Sequence, residues 1–183
     1  MSAEQNPYSA PRAHVDDKAG KPGSTPGDVT GPRGIGGWLL LPLLGLIFSP
    51  IRVGFQTVRD LLPVLKPETW NALTTPGSAA YHPMWAPVII FEVVANCLLI
   101  VLTLMLLWLF LRKSSRVPML MVIWLLAIVG VQIVDLLLAA QIPDVASQPD
   151  NQSMVDLARS VVGALIWVPY FLRSKRVKNT FVE

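Results

Sequence analysis

Two long apolar runs separated by a short basic turn constrain this chain more than any other feature. Residues 87–111 and 117–140 hold almost nothing but aliphatic and aromatic side chains, and Arg112, Lys113 and Arg116 fall between them. A hydrocarbon core about 30 Å thick takes roughly 20 apolar residues in helix, and in lipid only a helix or a closed barrel satisfies its own backbone hydrogen bonds. Both runs meet that requirement as membrane-spanning helices. The turn between them carries three cations and no anion, which marks it as cytosolic.

Composition agrees with the membrane class: 52% of the 183 residues are hydrophobic, 15% are charged and the mean hydropathy is +0.51. A formal charge of +3 could point to nucleic acid. The cations lie beside apolar runs, however, so the expected partners are the lipid bilayer and its anionic headgroups at the cytosolic basic segments, with no nucleic acid. Cys97 is the single cysteine and lies inside an apolar run, which excludes an internal disulfide and reads as core filling.

The remaining chain divides around that hairpin. Residues 1–33 contain Pro7, Pro11, Pro22, Pro26 and Pro32, four glycines and mixed charge, a composition expected to give a disordered cytosolic tail. Residues 34–183 form the expected transmembrane domain, with spans at about 35–58, 85–111, 117–140 and 154–172. The first apolar run begins at Ile35, after a long polar stretch, and is read as a retained span rather than a cleavable signal. Pro42, Gly45, Pro50 and Gly54 fall within it, so it is expected to be kinked on its neighbours, or else broken to line a site as in transporters. Residues 67–73, opening on Pro67 and Glu68, suit a short interfacial helix. The fold class expected is therefore all-α, an integral membrane four-helix bundle.

Sidedness follows from lysine and arginine. Arg12, Lys18, Lys21, Arg33, Arg112, Lys113, Arg116, Arg173, Lys175, Arg176 and Lys178 fall on the side of the basic turn, against Arg59 and Lys66 opposite, eleven to two. That asymmetry predicts a multi-pass protein with both termini in the cytosol. Arg173 to Lys178 reads as a cytosolic stop segment.

Two end motifs carry a family resemblance. Gly36-Gly37-Trp38-Leu39 with Pro42, and Trp167-Val168-Pro169-Tyr170-Phe171-Leu172 followed by Ser174-Lys175-Arg176-Val177-Lys178-Asn179-Thr180-Phe181, resemble the YdgK-like proteins, a bacterial four-helix inner-membrane family of unknown function. The resemblance covers residues 34–181, the closing motif being the more specific. It implies a bacterial inner (cytoplasmic) membrane and implies no reaction.

Ionisable residues inside spans cost about 2.5 to 3.5 kcal/mol each at a helix centre, so Arg52, Glu92, Asp135, Asp156 and Arg159 require an account. Counted along the helices at about 1.5 Å per residue, Arg52, Glu92 and Asp135 lie roughly 28 to 30 Å from the nearest cytosolic arginine and Arg159 roughly 21 Å. Every span thus places charge in the outer third of the membrane. Glu92 and Asp156 near helix starts and Arg52 near an end suit the helix dipoles, whereas Asp135 and Arg159 oppose them and are expected to pair. Asn96 sits one turn from Glu92, Gln132 three residues before Asp135, and Ser160 and Gly163 extend the Asp156 face. These residues form a candidate intramembrane polar cluster: Arg52, Glu92, Asn96, Gln132, Asp135, Asp156 and Arg159. The competing reading is structural, with charges snorkelling to headgroups or pairing to hold the bundle.

No metalloprotease, hydrolase, phosphate-loop or Cys-x-x-Cys motif occurs, and both histidines, His14 and His82, lie outside the spans, which excludes haem held between helices. Expected are no catalytic, cofactor-binding or metal-binding residues and no cofactor. The function read from sequence is a non-catalytic accessory or interaction subunit with a membrane-protein partner. The alternative is a small transporter or ion-conducting protein, oligomeric, that uses the outer charged cluster. A lipid-modifying enzyme with Glu92 or Asp135 as acid or base is a third reading without a specific motif.

Overall fold

The computed structural model describes residues 34–148 and 151–182. The proline-rich tail expected over residues 1–33 lies outside the described residues. Four helices are long and apolar enough to cross a membrane: α1 (Leu40–Val64), entered through a 3-10 turn at Gly37–Leu39, α3 (Trp85–Leu111), α4 (Val117–Ala139) and α6 (Asn151–Arg173). Short helices α2 (Pro67–Thr74) and α5 (Pro143–Ala146) lie in the two connections at one end, and α7 (Lys175–Thr180) follows the last span at the other. Among the described residues there is no strand.

Two boundaries differ from the sequence expectation. The first span begins later and runs further, to Val64, because Gln56, Thr57 and Asp60 face the bundle interior and the helix need not end where the polar residues begin. It continues without interruption through Pro50 and Pro63, so it is not a broken helix. Arg52 consequently sits mid-helix, beyond reach of the end dipole invoked for it, which acts only over the last turn. The fourth span starts at Asn151, three residues before the expected Met154.

The α1 sequence explains its orientation. Leu41, Leu44, Phe48, Ile51, Phe55, Val58 and Leu62 recur every three to four residues and are all exposed, forming the stripe that a bilayer would cover. On the opposite face Pro42 and Leu46 are buried, followed by Ser49, Gln56, Thr57 and Asp60. The inward face therefore turns from apolar to polar along the helix. The other spans do the same.

As a result the bundle has two unlike halves. Toward the termini, Leu39, Leu46, Leu106, Phe110, Val117, Met121, Trp124, Phe171, Val177 and Phe181 form one apolar core. The turn after α3 closes that half by a Schellman arrangement: Ser114 N–H donates to Leu109 C=O and Lys113 N–H to Phe110 C=O, with Lys113 at φ +54° in the place glycine usually takes. A cation thus occupies a position where backbone conformation alone would favour glycine.

The residues after the last span pack back on the bundle. Ser174 caps α7 by accepting from the Val177 N–H, Val177, Thr180 and Phe181 are buried, and Phe181 meets Phe110 edge to face at 5.0 Å. Thr180 Oγ1 donates to the Gly34 carbonyl at 3.4 Å. Arg176 turns inward against Gly37, which has φ +55°; a Cβ there would stand 2.6 Å from an Arg176 guanidinium nitrogen. The two end motifs therefore pack on each other, and glycine is favoured at 37 by its positive φ, while a side chain there would also push the Arg176 guanidinium aside.

Helix packing runs α1 on α3, α3 on α4 and α4 on α6, while α1 and α6 do not pack along their lengths. A seam is left between the first and last spans. It is closed toward the termini by the docked α7 and open toward the other end.

Candidate functional site

The half of the bundle away from the termini encloses a cleft of about 450 Å³. All seven residues of the candidate cluster line it: Arg52 from α1, Glu92 and Asn96 from α3, Gln132 and Asp135 from α4, and Asp156 and Arg159 from α6. Their convergence follows from antiparallel register. Counting inward along α3 from Glu92 through Asn96 and Leu99 to Thr103 matches counting inward along α4 from Asp135 through Gln132 and Ile128 to Trp124, eleven residues or about 16 Å in each case.

Asp156 is the hub of the ion pairs. Its Oδ2 accepts from Arg52 Nη2 across the seam at 3.1 Å, and its Oδ1 accepts from Arg159 Nη1 within α6 at 3.0 Å. Arg159 thus forms an i, i+3 pair on its own helix, where neighbouring turns bring the two side chains together without any interhelical constraint. Asp135 lines the same cleft from α4. Arg52 thereby ties together two spans that do not otherwise pack along their lengths.

A hydrogen-bond chain joins α4 to α6. Ser160 Oγ donates to the Asp156 backbone carbonyl at 2.9 Å, which spends its proton, so the Gln132 group 2.7 Å from the same oxygen must be the amide nitrogen. Gln132 Oε1 is then left buried without a donor, as is Thr57 Oγ1 without a partner. At the deep end, Trp124 Nε1 donates to Thr103 Oγ1 at 2.8 Å, and Thr103 donates to the Leu99 carbonyl at 2.6 Å. Both side chains are buried and form a satisfied floor.

Charge at the mouth is unbalanced. Asp60, Glu92, Asp135 and Asp156, one carboxylate from each span, line the cleft with Arg52 and Arg159, and with Arg59 counted against Asp60 the formal excess is one negative charge. Asp60 is held in two-point contact by Arg59 at 2.7 and 3.2 Å. Glu92 has no hydrogen bond or ion pair among the described residues, and its ionic neighbours are the carboxylates of Asp135 and Asp60. Among the described residues no three His, Cys, Asp or Glu side chains are grouped closely enough to hold a metal ion.

Sequence reading missed the α1 contribution, Ser49, Gln56, Thr57 and Asp60. Their spacing of seven, one and three residues is helical and continues the face of Arg52, but Asp60 had been placed in a loop. Cys97, read as core filling, is exposed on the outer face of α3, away from the cleft. His82 lies in the α2–α3 connection, where Nδ1 accepts from the Met84 N–H.

A bundle of four spanning helices, apolar outside and charged within, is an integral membrane protein with an internal polar cleft. The DUF2569 family model, described as a protein of unknown function, matches residues 32–182, and the chain belongs to that family. It is also similar to the inner membrane protein YdgK of Escherichia coli (strain K12), 30% identical over 159 residues, which cover 84% of this chain and 97% of that protein. No solved structure matches. With its four spans, the chain is a multi-pass inner-membrane protein.

Proposed function

We propose that this protein is a non-catalytic transport protein that admits a small polar solute into the cleft from the periplasm, both termini lying in the cytosol. One observation carries the reading: four separate spans each contribute ionisable side chains to one cavity, in a setting where each such side chain is costly unless it serves a polar space. The eleven-to-two cation bias supports the sidedness. The accessory role rests on missing motifs, whereas the cleft is a positive feature of a size suited to a small molecule. All of its walls come from one chain, so a second copy is not needed to build it.

Reporter fusions after Ser114 and Phe181 should give cytosolic signals, and fusions near Ala79 and Gln148 periplasmic ones. Purification in mild detergent should then yield the chain alone or as a homo-oligomer. A periplasmic signal at Ser114 would invert the topology, and one stoichiometric partner protein would return the accessory role.

A further inference from the structure

Two acceptors of the cleft, on Glu92 and Gln132, have no donor bonded to them, and they identify what it can hold. Glu92 offers a half-buried carboxylate with no protein cation against it, its neighbours Asp135 and Asp60 being of like charge. Gln132 offers a second acceptor, its Oε1 being buried without a donor and coming within reach of a ligand when the side chain shifts. A half-buried carboxylate in a membrane span is stabilised chiefly by an opposite charge close by. The guanidinium groups of Arg52 and Arg159 are directed to Asp156 rather than to Glu92.

Below these acceptors the wall changes character. Leu99, Ile100 and Ile128 surround a floor whose polar atoms, Trp124 Nε1 and Thr103 Oγ1, are already bonded to each other. A ligand reaching that depth gains from apolar or aromatic surface and gains nothing from further polar groups. The cleft, at about 450 Å³, is also far larger than a bare ion needs.

We propose that the cleft binds a small organic ammonium ion with a compact apolar body, its N–H donors directed to the Glu92 carboxylate and Gln132 Oε1 and its body toward Trp124. An ammonium group carries three donors and no acceptor, which complements this pair of acceptors. The excess of carboxylates at the mouth attracts the same sign of charge from solution. This inference rests on the solute-binding reading above and names the solute's class.

Calorimetric titration of the full chain in lipid nanodiscs tests it with three isosteric probes: benzylammonium, benzyl alcohol and benzoate. Benzylammonium should bind saturably, and the other two at least tenfold more weakly. Glu92→Gln, which keeps the side-chain shape, should lower benzylammonium affinity at least tenfold while leaving the ligand-free unfolding temperature close to that of the parent. Glu92→Asp, which keeps the charge, should retain binding within a few-fold and serves if Glu92→Gln does not fold. Preferential binding of benzoate or benzyl alcohol would keep the solute-binding cleft and overturn the ammonium assignment. Equal benzylammonium affinity in the parent and Glu92→Gln would overturn it too, and an absence of saturable binding for all three would overturn both readings.

Discussion

Replacing Phe110 by alanine should destabilise the protein by roughly 3 to 5 kcal/mol, the range for deleting a buried aromatic ring, and should free the C-terminal helix. Phe110 is fully buried in the core of the terminus-side half and is the ring against which Phe181 packs edge to face. Transfer from lipid to protein interior contributes little in a membrane, so the loss comes from vacated contacts and an unfilled cavity. Around α7, beyond the last span, withdrawal of Val177 and Phe181 from water adds to it. Unfolding by denaturing detergent should report the global loss, and hydrogen exchange should show α7 amides unprotected in Phe110→Ala. Phe181→Ala should free α7 in the same way at a smaller global cost, because the Phe110 site stays filled from α3. Unchanged α7 protection in both variants would show that the end motifs do not hold each other.

Asp156→Ala should have the second largest effect, and it should exceed that of either arginine. Removing the carboxylate leaves the guanidiniums of Arg52 and Arg159 near each other without the counter-charge they share, whereas removing one arginine leaves Asp156 still paired. Breaking a fully buried pair costs about 3 to 5 kcal/mol and an exposed one about 0.2 to 1 kcal/mol. Here the Asp156 side chain is 24% exposed and the arginines 57% and 65%, so screening places the loss at roughly 1 to 2 kcal/mol. The seam between α1 and α6 has little else to hold it at that end, so Arg52→Ala and Asp156→Ala should be strongly non-additive in a double-mutant cycle. Additive losses would mean that the two spans are held together by something other than this pair.

Much of the architecture was legible because membrane solvation imposes strong rules. Run length fixed α3 and α4 almost to the residue, and Pro67 with Glu68 marked α2. Counting residues from the basic turn and end segments placed Arg52, Glu92 and Asp135 at similar depths and Arg159 somewhat nearer, and side chains close in depth on four packed helices can share a cavity. Pairing was not legible. Helix dipoles pointed Arg159 toward Asp135 and gave no sign of the carboxylate three residues away on the same helix, which reaches Arg159 without any tertiary alignment. The end of α1 was misplaced because Arg59 and Asp60 look like a loop start in sequence, while in three dimensions they hold each other beside a polar cleft. Nor did the basic residues of 173–178 disclose that Val177 and Phe181 fall on a buried face, since six helical residues are too few to establish a period.

The central claim is that water reaches between the four spans from the side away from the termini. Thiol reactivity measures it directly, because maleimide reacts with the thiolate, which forms in water and not in lipid. In a Cys97→Ser background, single cysteines at Gln56, Asn96 and Gln132 face the cleft, while cysteines at Phe55, Leu98 and Ile133 occupy adjacent positions on the outer surface. A membrane-impermeant maleimide applied to the periplasmic face should label the first three and spare the second three. Equal labelling of both sets, or labelling of the first three only from the cytosolic face of inverted vesicles, would contradict a polar cleft open to the periplasm.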